Sequence, residues 1–219
     1  MNDLEKFFQA NKANRIHKWK HYFDIYDRHF SKFRGGDTVV VEFGVQHGGS
    51  ARMWQDYFGP RSRVYGIDID PRCATVADDG IEIIIGDQAD RGFLTTLTET
   101  LPKIDVLIDD GGHHMQQQIN TFEVMFPAIQ PNGVYLCEDL HTSYWPKWGG
   151  GLNKPDTMIE HSKKFIDYIN AWHVDEMEVS DFTKSVNSLH FYDSVLVIEK
   201  TEREKPSEVA TGKKMFKAG

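Results

Sequence analysis

The chain of 219 residues has two cysteines, Cys73 and Cys137, and neither has a neighbour at metal-ligand spacing. That excludes a disulfide framework and a cysteine-held zinc site, and it fits a reducing compartment. No uninterrupted apolar stretch approaches the roughly 18 residues of a membrane span, so no membrane partner is expected. The first residues, Met1 to Gln9, carry Asp3 and Glu5 where a secretory signal needs bases, and a cytoplasmic location is expected. Internal repeats and low-complexity segments are missing as well. The length fits one domain with a full core, since single domains commonly run to about 200 to 250 residues.

Net positive charge is also scarce where it would matter for nucleic acid. Residues 1–34 hold eight Lys/Arg against four Asp/Glu and residues 200–219 hold six against three, so the net charge of −8 leaves −15 on residues 35–199. An acidic body repels phosphate backbones, which argues against nucleic acid as a partner. The basic residues at the ends read as solvated faces. Three parts are expected: an N-terminal helical cap over 1–34, a catalytic body over 35–199, and a mobile tail over 200–219 that is rich in Pro, Ser, Glu, Gly and Lys.

What is present is a repeated alternation of short apolar runs with helical stretches. Trp19, Tyr22, Phe23 and Tyr26 near helical spacing predict one or two amphipathic helices within 3–33, with Trp19 and Tyr22 in the core. Strands are predicted at 38–43, 63–69, 81–85, 104–108 and 133–137, helices at about 49–58, 71–78, 90–101, 115–127 and 156–172, and two closing strands at about 187–192 and 194–199. That β-α order signals a doubly wound, mostly parallel seven-stranded α/β sheet.

The polar residues gather where strands end. Asp105-Val-Leu-Ile-Asp-Asp-Gly-Gly-His-His114 and Val134-Tyr-Leu-Cys-Glu-Asp139 are apolar runs closed by acidic pairs, as expected at the carboxyl edge of a parallel sheet. Asp110, Glu138 and Asp139 offer oxygen ligands for Mg²⁺, with Mn²⁺ or Ca²⁺ as substitutes, and His113 lies three residues past Asp110 as a candidate base. Such carboxylates also cap helices or sit in solvent. The first strand runs into Glu42-Phe-Gly-Val-Gln-His-Gly-Gly-Ser50, a glycine turn before a helix that lets a ligand approach the backbone. Gln46 interrupts the Gly-x-Gly-x-x-Gly order of dinucleotide folds. Asp68 follows Gly44 by 24 residues, near the spacing of about 20 that suits a ribose hydroxyl pair. Asp87 and Gln88 close the third strand, where they could read an adenine edge.

The order Glu-x-Gly, Gly66-Ile-Asp-Ile-Asp70 and Gly86-Asp-Gln88 resembles the class I S-adenosylmethionine-dependent methyltransferases, Rossmann-like folds whose seventh strand is antiparallel. Ile108-Asp-Asp-Gly-Gly-His113 with Cys137-Glu-Asp-Leu-His-Thr-Ser-Tyr144 is similar to the metal-dependent sugar O-methyltransferases, the mycinamicin/macrocin O-methyltransferase-like group that includes rhamnosyl O-methyltransferases and cephalosporin hydroxylases. The resemblance covers about residues 15–172. It implies metal ligands at Asp110, Glu138 and Asp139 and a general base at His113. It also implies a cofactor pocket built from Glu42, Gly44, Gly48, Ser50, Asp68, Asp87, Gln88 and Asp109. A sugar or polyol hydroxyl, on a small molecule or a glycan, is the expected acceptor, with Tyr22, His141, Tyr144 and Trp145 facing it. Macrolide enzymes have an additional N-terminal region that this chain is too short to contain, so assembly does not carry over; a homo-oligomer stays open. His114 is the competing base, with a structural role expected. Two other readings stand: a non-haem iron oxygenase using Asp110, His113 and His141, and a nucleoside-binding protein without catalysis.

Overall fold

A computed structural model of the chain describes residues 1–216. Its centre is β1 (Val39–Phe43), buried along its whole length, as a Val-Val-Val run requires when helices cover both faces of a parallel strand. Around it lie β2 (Arg63–Asp68), β3 (Ile81–Ile85), β4 (Ile104–Asp109), β5 (Ile129–Cys137), β6 (Val186–Tyr192) and β7 (Val195–Lys200). Their order is β3-β2-β1-β4-β5-β7-β6. The first five strands are parallel, and β7 runs antiparallel to both β5 and β6. This is the class I methyltransferase sheet expected from the sequence. Strand order reverses between β1 and β4, the place where open α/β sheets leave a crevice beyond the carboxyl ends.

Two apolar layers cover the sheet. On one face α4 (Arg91–Thr100), α5 (Met115–Met125), α6 (Met158–Ile169) and α7 (Asp181–Ser185) enclose Phe122, Phe126, Tyr135 and Phe165. The other face holds α1 (Asp3–Ala10), α2 (Tyr22–Phe30) and α3 (Gly49–Phe58). There the Tyr26 and Trp54 rings meet edge to face at 5.0 Å, with Phe30 and Phe58 behind them. Residues 11–21, between α1 and α2, form an extended strap rather than a helix. Trp19 lies on that strap and is 51% exposed, whereas Tyr22 and Phe23 begin α2 and are buried. The expectation of a core Trp19 therefore fails, because helical spacing does not reach back past residue 22.

Other boundaries shift for local reasons. Pro71 follows Asp70, whose carboxylate accepts from the Arg72 amide, and the stretch Pro71–Val76 closes into a 3₁₀ turn instead of the expected helix. Strand β7 runs one residue further than expected, to Lys200, which is buried and donates to the carbonyls of Phe126 and Ile129. Residues 201–216 contain no helix or strand, and 217–219 of the expected tail lie outside the described residues. No described helix is long and apolar enough to cross a membrane.

Phe165 sits 4.5 Å from Phe122 and 5.1 Å from Phe182, ring centre to ring centre, and is 1% exposed. Phe165→Ala should cost about 3 to 5 kcal/mol in urea unfolding, the range for emptying an aromatic site. Tyr168→Ala, on the more exposed side of the same helix, should cost clearly less.

Candidate active site

The carboxyl edge brings three left-handed backbones together. Gln46, His113 and Asp139 have φ of 47°, 56° and 54°, and they follow β1, β4 and β5 in turn. Non-glycine residues adopt this region only when their surroundings hold them there, and such strain clusters at functional sites. Gly44 has φ of 93°, and a Cβ there would lie 2.0 Å from the Asp110 carbonyl oxygen, so only glycine lets β1 and β4 leave the sheet this close together.

Asp110, His113 and Asp139 converge, with one ligand atom of each within 4.8 Å of the others. The His113 Nε2 stands 3.8 Å from Asp110 Oδ1 and 3.5 Å from Asp139 Oδ2. Its Nδ1 is buried without a partner. Tyr22, expected to face an acceptor, is instead fully buried and donates its hydroxyl to Asp139 Oδ1 at 2.7 Å. It positions a carboxylate. His114 precedes α5 and meets it through its backbone, its amide donating to Gln117 Oε1 at 3.2 Å and its carbonyl accepting from the Gln117 amide at 2.9 Å; its ring is exposed and has no hydrogen bond of its own among the described residues, so the expected structural role rests on the main chain.

Glu138, expected as a metal ligand beside Asp110 and Asp139, is not in this group but stands behind it, its oxygens taken by buried donors. Its Oε1 accepts from the Tyr26 hydroxyl at 2.6 Å, and both of its oxygens accept from Lys18 Nζ at 3.0 and 3.1 Å. The same ammonium reaches Asp110 Oδ2 at 2.5 Å and lies 3.7 Å from Glu42 Oε1. Glu42 in turn accepts from Ser50 Oγ at 2.7 Å and from the Trp54 indole at 2.9 Å. The Lys18 side chain is 2% exposed, and those of Glu42 and Glu138 are 0% and 1%. Burial alone would lower the pKa of Lys18, but Asp110, Glu138 and Glu42 reverse this and raise it. Burial raises Glu42 and Glu138, with Asp110 adding to both. One ammonium among three carboxylates leaves negative charge in excess, which suits a cation bound in front of it. Lys18 is a functional residue that sequence reasoning misses, since nothing local distinguishes it from Lys20.

The expected cofactor residues divide into two sets. Gly44, Asp68, Asp87 and Gln88 line a cavity of about 160 Å³ together with Ile69, Gly111 and Gln117. Asp68 is held by the backbone amides of Val45, Gln46 and Asp70 at 2.8, 3.0 and 3.0 Å. Burial works against its charge, but these amides win and lower its pKa. The other set lies beneath the wall. Glu42 and Ser50 are bonded to each other, and Gly48 with φ of 74° begins α3 against Val76. Asp109 is buried and accepts from Gln88 Nε2 at 2.7 Å; burial raises its pKa to about 6. Gln88 Nε2 also donates to Thr121, so that amide group serves the framework.

Outside the acid pit runs an aromatic surface. The Trp19 and His141 rings lie 5.8 Å apart, His141 and Trp145 4.5 Å, and Trp145 and Trp148 5.3 Å. Tyr144 and Trp145 are 46% and 45% exposed. The His141 Nδ1 contacts the Ser194 hydroxyl. His141 is not part of the Asp110, His113 and Asp139 group, so the two-histidine iron triad is not assembled among the described residues.

Residues 41–140 match the family model described as a methyltransferase domain, and the chain has the class I methyltransferase fold. The particular proteins it is similar to are sugar O-methyltransferases. It is 33% identical over 213 residues to demethylmacrocin O-methyltransferase of Streptomyces fradiae, covering 91% of this chain and 53% of that protein. It is 35% identical over 188 residues to mycinamicin VI 2''-O-methyltransferase of Micromonospora griseorubida, covering 80% and 47%. Its structure matches the MycE methyltransferase of the mycinamycin biosynthetic pathway, crystallised with Mg, SAH and Mycinamycin VI, with a TM-score of 0.83, 32% identity, and coverage of 92% of this chain and 54% of that one. The chain spans about half the length of the curated relatives it matches.

Lys18→Met should cost about 3 to 5 kcal/mol in urea unfolding at pH 7, because it leaves buried carboxylates without their counter-charge. Lys20→Met, on the exposed part of the strap, should stay within about 0.5 kcal/mol of wild type. Equal losses would show that the Lys18 ammonium counts no more than a surface charge. Asp68 carries a pH signature. Its lowered folded pKa contributes stability above the unfolded value of 3.8 that is lost as pH falls through the folded value. Asp68→Asn should therefore flatten the acid limb of a stability curve.

Proposed function

We propose that the chain is an S-adenosylmethionine-dependent and divalent-metal-dependent O-methyltransferase acting on a sugar hydroxyl of a glycosylated small molecule or surface glycan. The observation that carries this reading is the pairing of the Asp110, His113 and Asp139 group with the Asp68 cavity, both opening at the switch point of a class I methyltransferase sheet. The two share Asp110, whose residue also lines the cavity. Residues 1–34 serve as a cap on a catalytic unit of 35–199, and the reading includes a cytoplasmic enzyme without a nucleic-acid partner.

The donor set fits a hard cation, since Asp110 and Asp139 present carboxylate oxygens in front of a buried excess of negative charge. Asp110 and Asp139 would hold Mg²⁺, with Glu138 supporting Asp110 through the shared Lys18 ammonium. Bound there, the cation supplies charge that makes the acceptor hydroxyl more acidic. S-adenosylmethionine supplies the sulfonium methyl, with Asp68 on its ribose hydroxyls. His113 Nε2 takes the acceptor's proton, and the flanking Asp110 and Asp139 carboxylates favour the imidazolium that forms. Tyr22 keeps Asp139 turned toward His113. Trp19, Tyr144 and Trp145 offer flat faces to the apolar side of a sugar ring.

The test is methyl transfer from S-adenosylmethionine to deoxysugar glycosides by the purified chain. Chelation should abolish turnover, and Mg²⁺ should restore it. His113→Ala should lower the rate by about 10² to 10⁴ while cofactor affinity stays nearly constant, and His114→Ala should do far less. Asp68→Ala should weaken S-adenosylmethionine by about 1 to 3 kcal/mol in calorimetry. Activity that survives exhaustive chelation sinks the metal-dependent reading.

A further inference from the structure

A second cluster of donors lies on the opposite edge of the cap helix, where none of the groups discussed above is involved. His29 comes from α2, His190 from β6 and Glu199 from β7, and one ligand atom of each lies within 4.8 Å of the others. The two rings contact each other, 4.6 Å centre to centre, and each turns a nitrogen toward the carboxylate beside them. His29 Nδ1 is 2.9 Å from Glu199 Oε1, and His190 Nε2 is 3.7 Å from Glu199 Oε2. These separations bracket about 3.3 Å, the edge of a tetrahedron built on zinc–nitrogen and zinc–oxygen bonds of about 2.0 Å.

We propose that His29, His190 and Glu199 form a binding site for a borderline divalent transition metal, Zn²⁺ foremost, which fastens the cap helix α2 to the antiparallel strand pair β6–β7. Two imidazoles and one carboxylate are a donor set that favours such an ion over Mg²⁺, which takes oxygen ligands. The ligands are held by neighbours. His29 Nε2 lies 2.9 Å from the Tyr192 hydroxyl, which fixes the ring with Nδ1 toward the carboxylate. Ser188 Oγ lies 3.0 Å from His190 Nε2 and donates to Glu199 Oε2 at 3.1 Å, so it braces the carboxylate, and the ion would displace it from the nitrogen. His29 is 2% exposed, while the His190 and Glu199 side chains are 35% and 25% exposed, so the cluster is walled on the helix side and open to a water ligand on the other. Burial lowers the pKa of His29, which favours the neutral, metal-binding imidazole. With the ion on Nδ1, the single ring proton of neutral His29 sits on Nε2, which donates to the Tyr192 hydroxyl, so the ring stays neutral and loses no proton.

The site stands apart from the methyl-transfer reading and does not rest on it. The full chain, chelator-treated and dialysed, would be titrated with Zn²⁺ in excess Mg²⁺ by calorimetry, and with Co²⁺ by visible absorption. Wild type should take up a Zn²⁺ equivalent that His190→Ala and the near-isosteric Glu199→Gln both lose and that His113→Ala keeps. Tyr192→Phe should weaken that equivalent by about 10- to 100-fold. Co²⁺ in wild type should give the intense visible bands of a four-coordinate ion, absent in His190→Ala. Identical Zn²⁺ uptake by wild type and His190→Ala, or none by wild type, overturns the proposal and leaves the cluster a hydrogen-bond network.

Discussion

The ammonium of Lys18 is the interaction on which the carboxyl edge of the sheet depends. Glu42 on β1 and Glu138 just past the end of β5, with β4 between them, project into a space lined by Tyr26 and Trp54, and neither reaches water. Carboxylates in such a place repel each other and lose hydration, a loss that attraction offsets only with good geometry and further hydrogen bonds. Lys18 supplies the attraction, Tyr26, Ser50 and Trp54 supply the bonds, and the Lys18 Nζ lies 5.8 and 6.0 Å from the Tyr26 and Trp54 ring centres. Asp110 is thereby divided between two duties. Its Oδ2 is fixed by Lys18 and its Oδ1 is left toward His113.

The strap that carries Lys18 is otherwise held by Ile16 against the core, by the Asn14 and Arg15 carbonyls beside Gly49, and by the His21 ring on the Asp193 carbonyl. Between α1 and α2 it has no helix or strand, and its neighbours Trp19 and Lys20 are exposed. Its ordering is therefore tied in part to the charge of the acid pit. Helix α2 continues the same design: Tyr22, Tyr26 and His29 share one helical face at positions i, i+4 and i+7, and they contact Asp139, Glu138 and Glu199 in turn. Each polar tip meets a carboxylate while its ring packs against the sheet, so one amphipathic helix both covers the core and aims the acids beneath it.

How much of this could be read in the sequence follows from the range of the interactions. Strands β1 to β5 were legible because parallel strands buried on both faces are continuous apolar runs, and Asp110, His113 and Asp139 were legible because each sits at the end of such a run. Lys18 was not. Its partners lie 92 and 120 residues away, and a lysine among lysines carries no periodic signal. Tyr22 was placed near the correct carboxylates but on the wrong side of the surface, since its fully buried ring is what lets its hydroxyl orient Asp139. Trp19 erred in the opposite direction. Its spacing to Tyr22 is helical, yet the helix begins only at Tyr22, and the side chain points outward beside His141.

The three left-handed residues connect these facts. A strand that simply continued would carry Gln46, His113 and Asp139 past the edge of the sheet, whereas a left-handed turn at each redirects the chain over the crevice. Strain of this kind persists only where surrounding contacts over-determine it. At Asp139 the contact is Tyr22; at His113 it is the Thr142 hydroxyl on the backbone carbonyl; at Gln46 it is the Asp68 carboxylate on the amide. Asp68 thus lines the cavity and holds open the turn that forms it, so removing its charge should disturb the neighbouring glycine turn as well as any ligand it touches. The cap helix holds Asp139, the turn after β5 holds His113, and β2 holds Gln46. The edge is consequently shaped by three separate parts of the fold, none of which is adjacent in sequence to the residue it constrains.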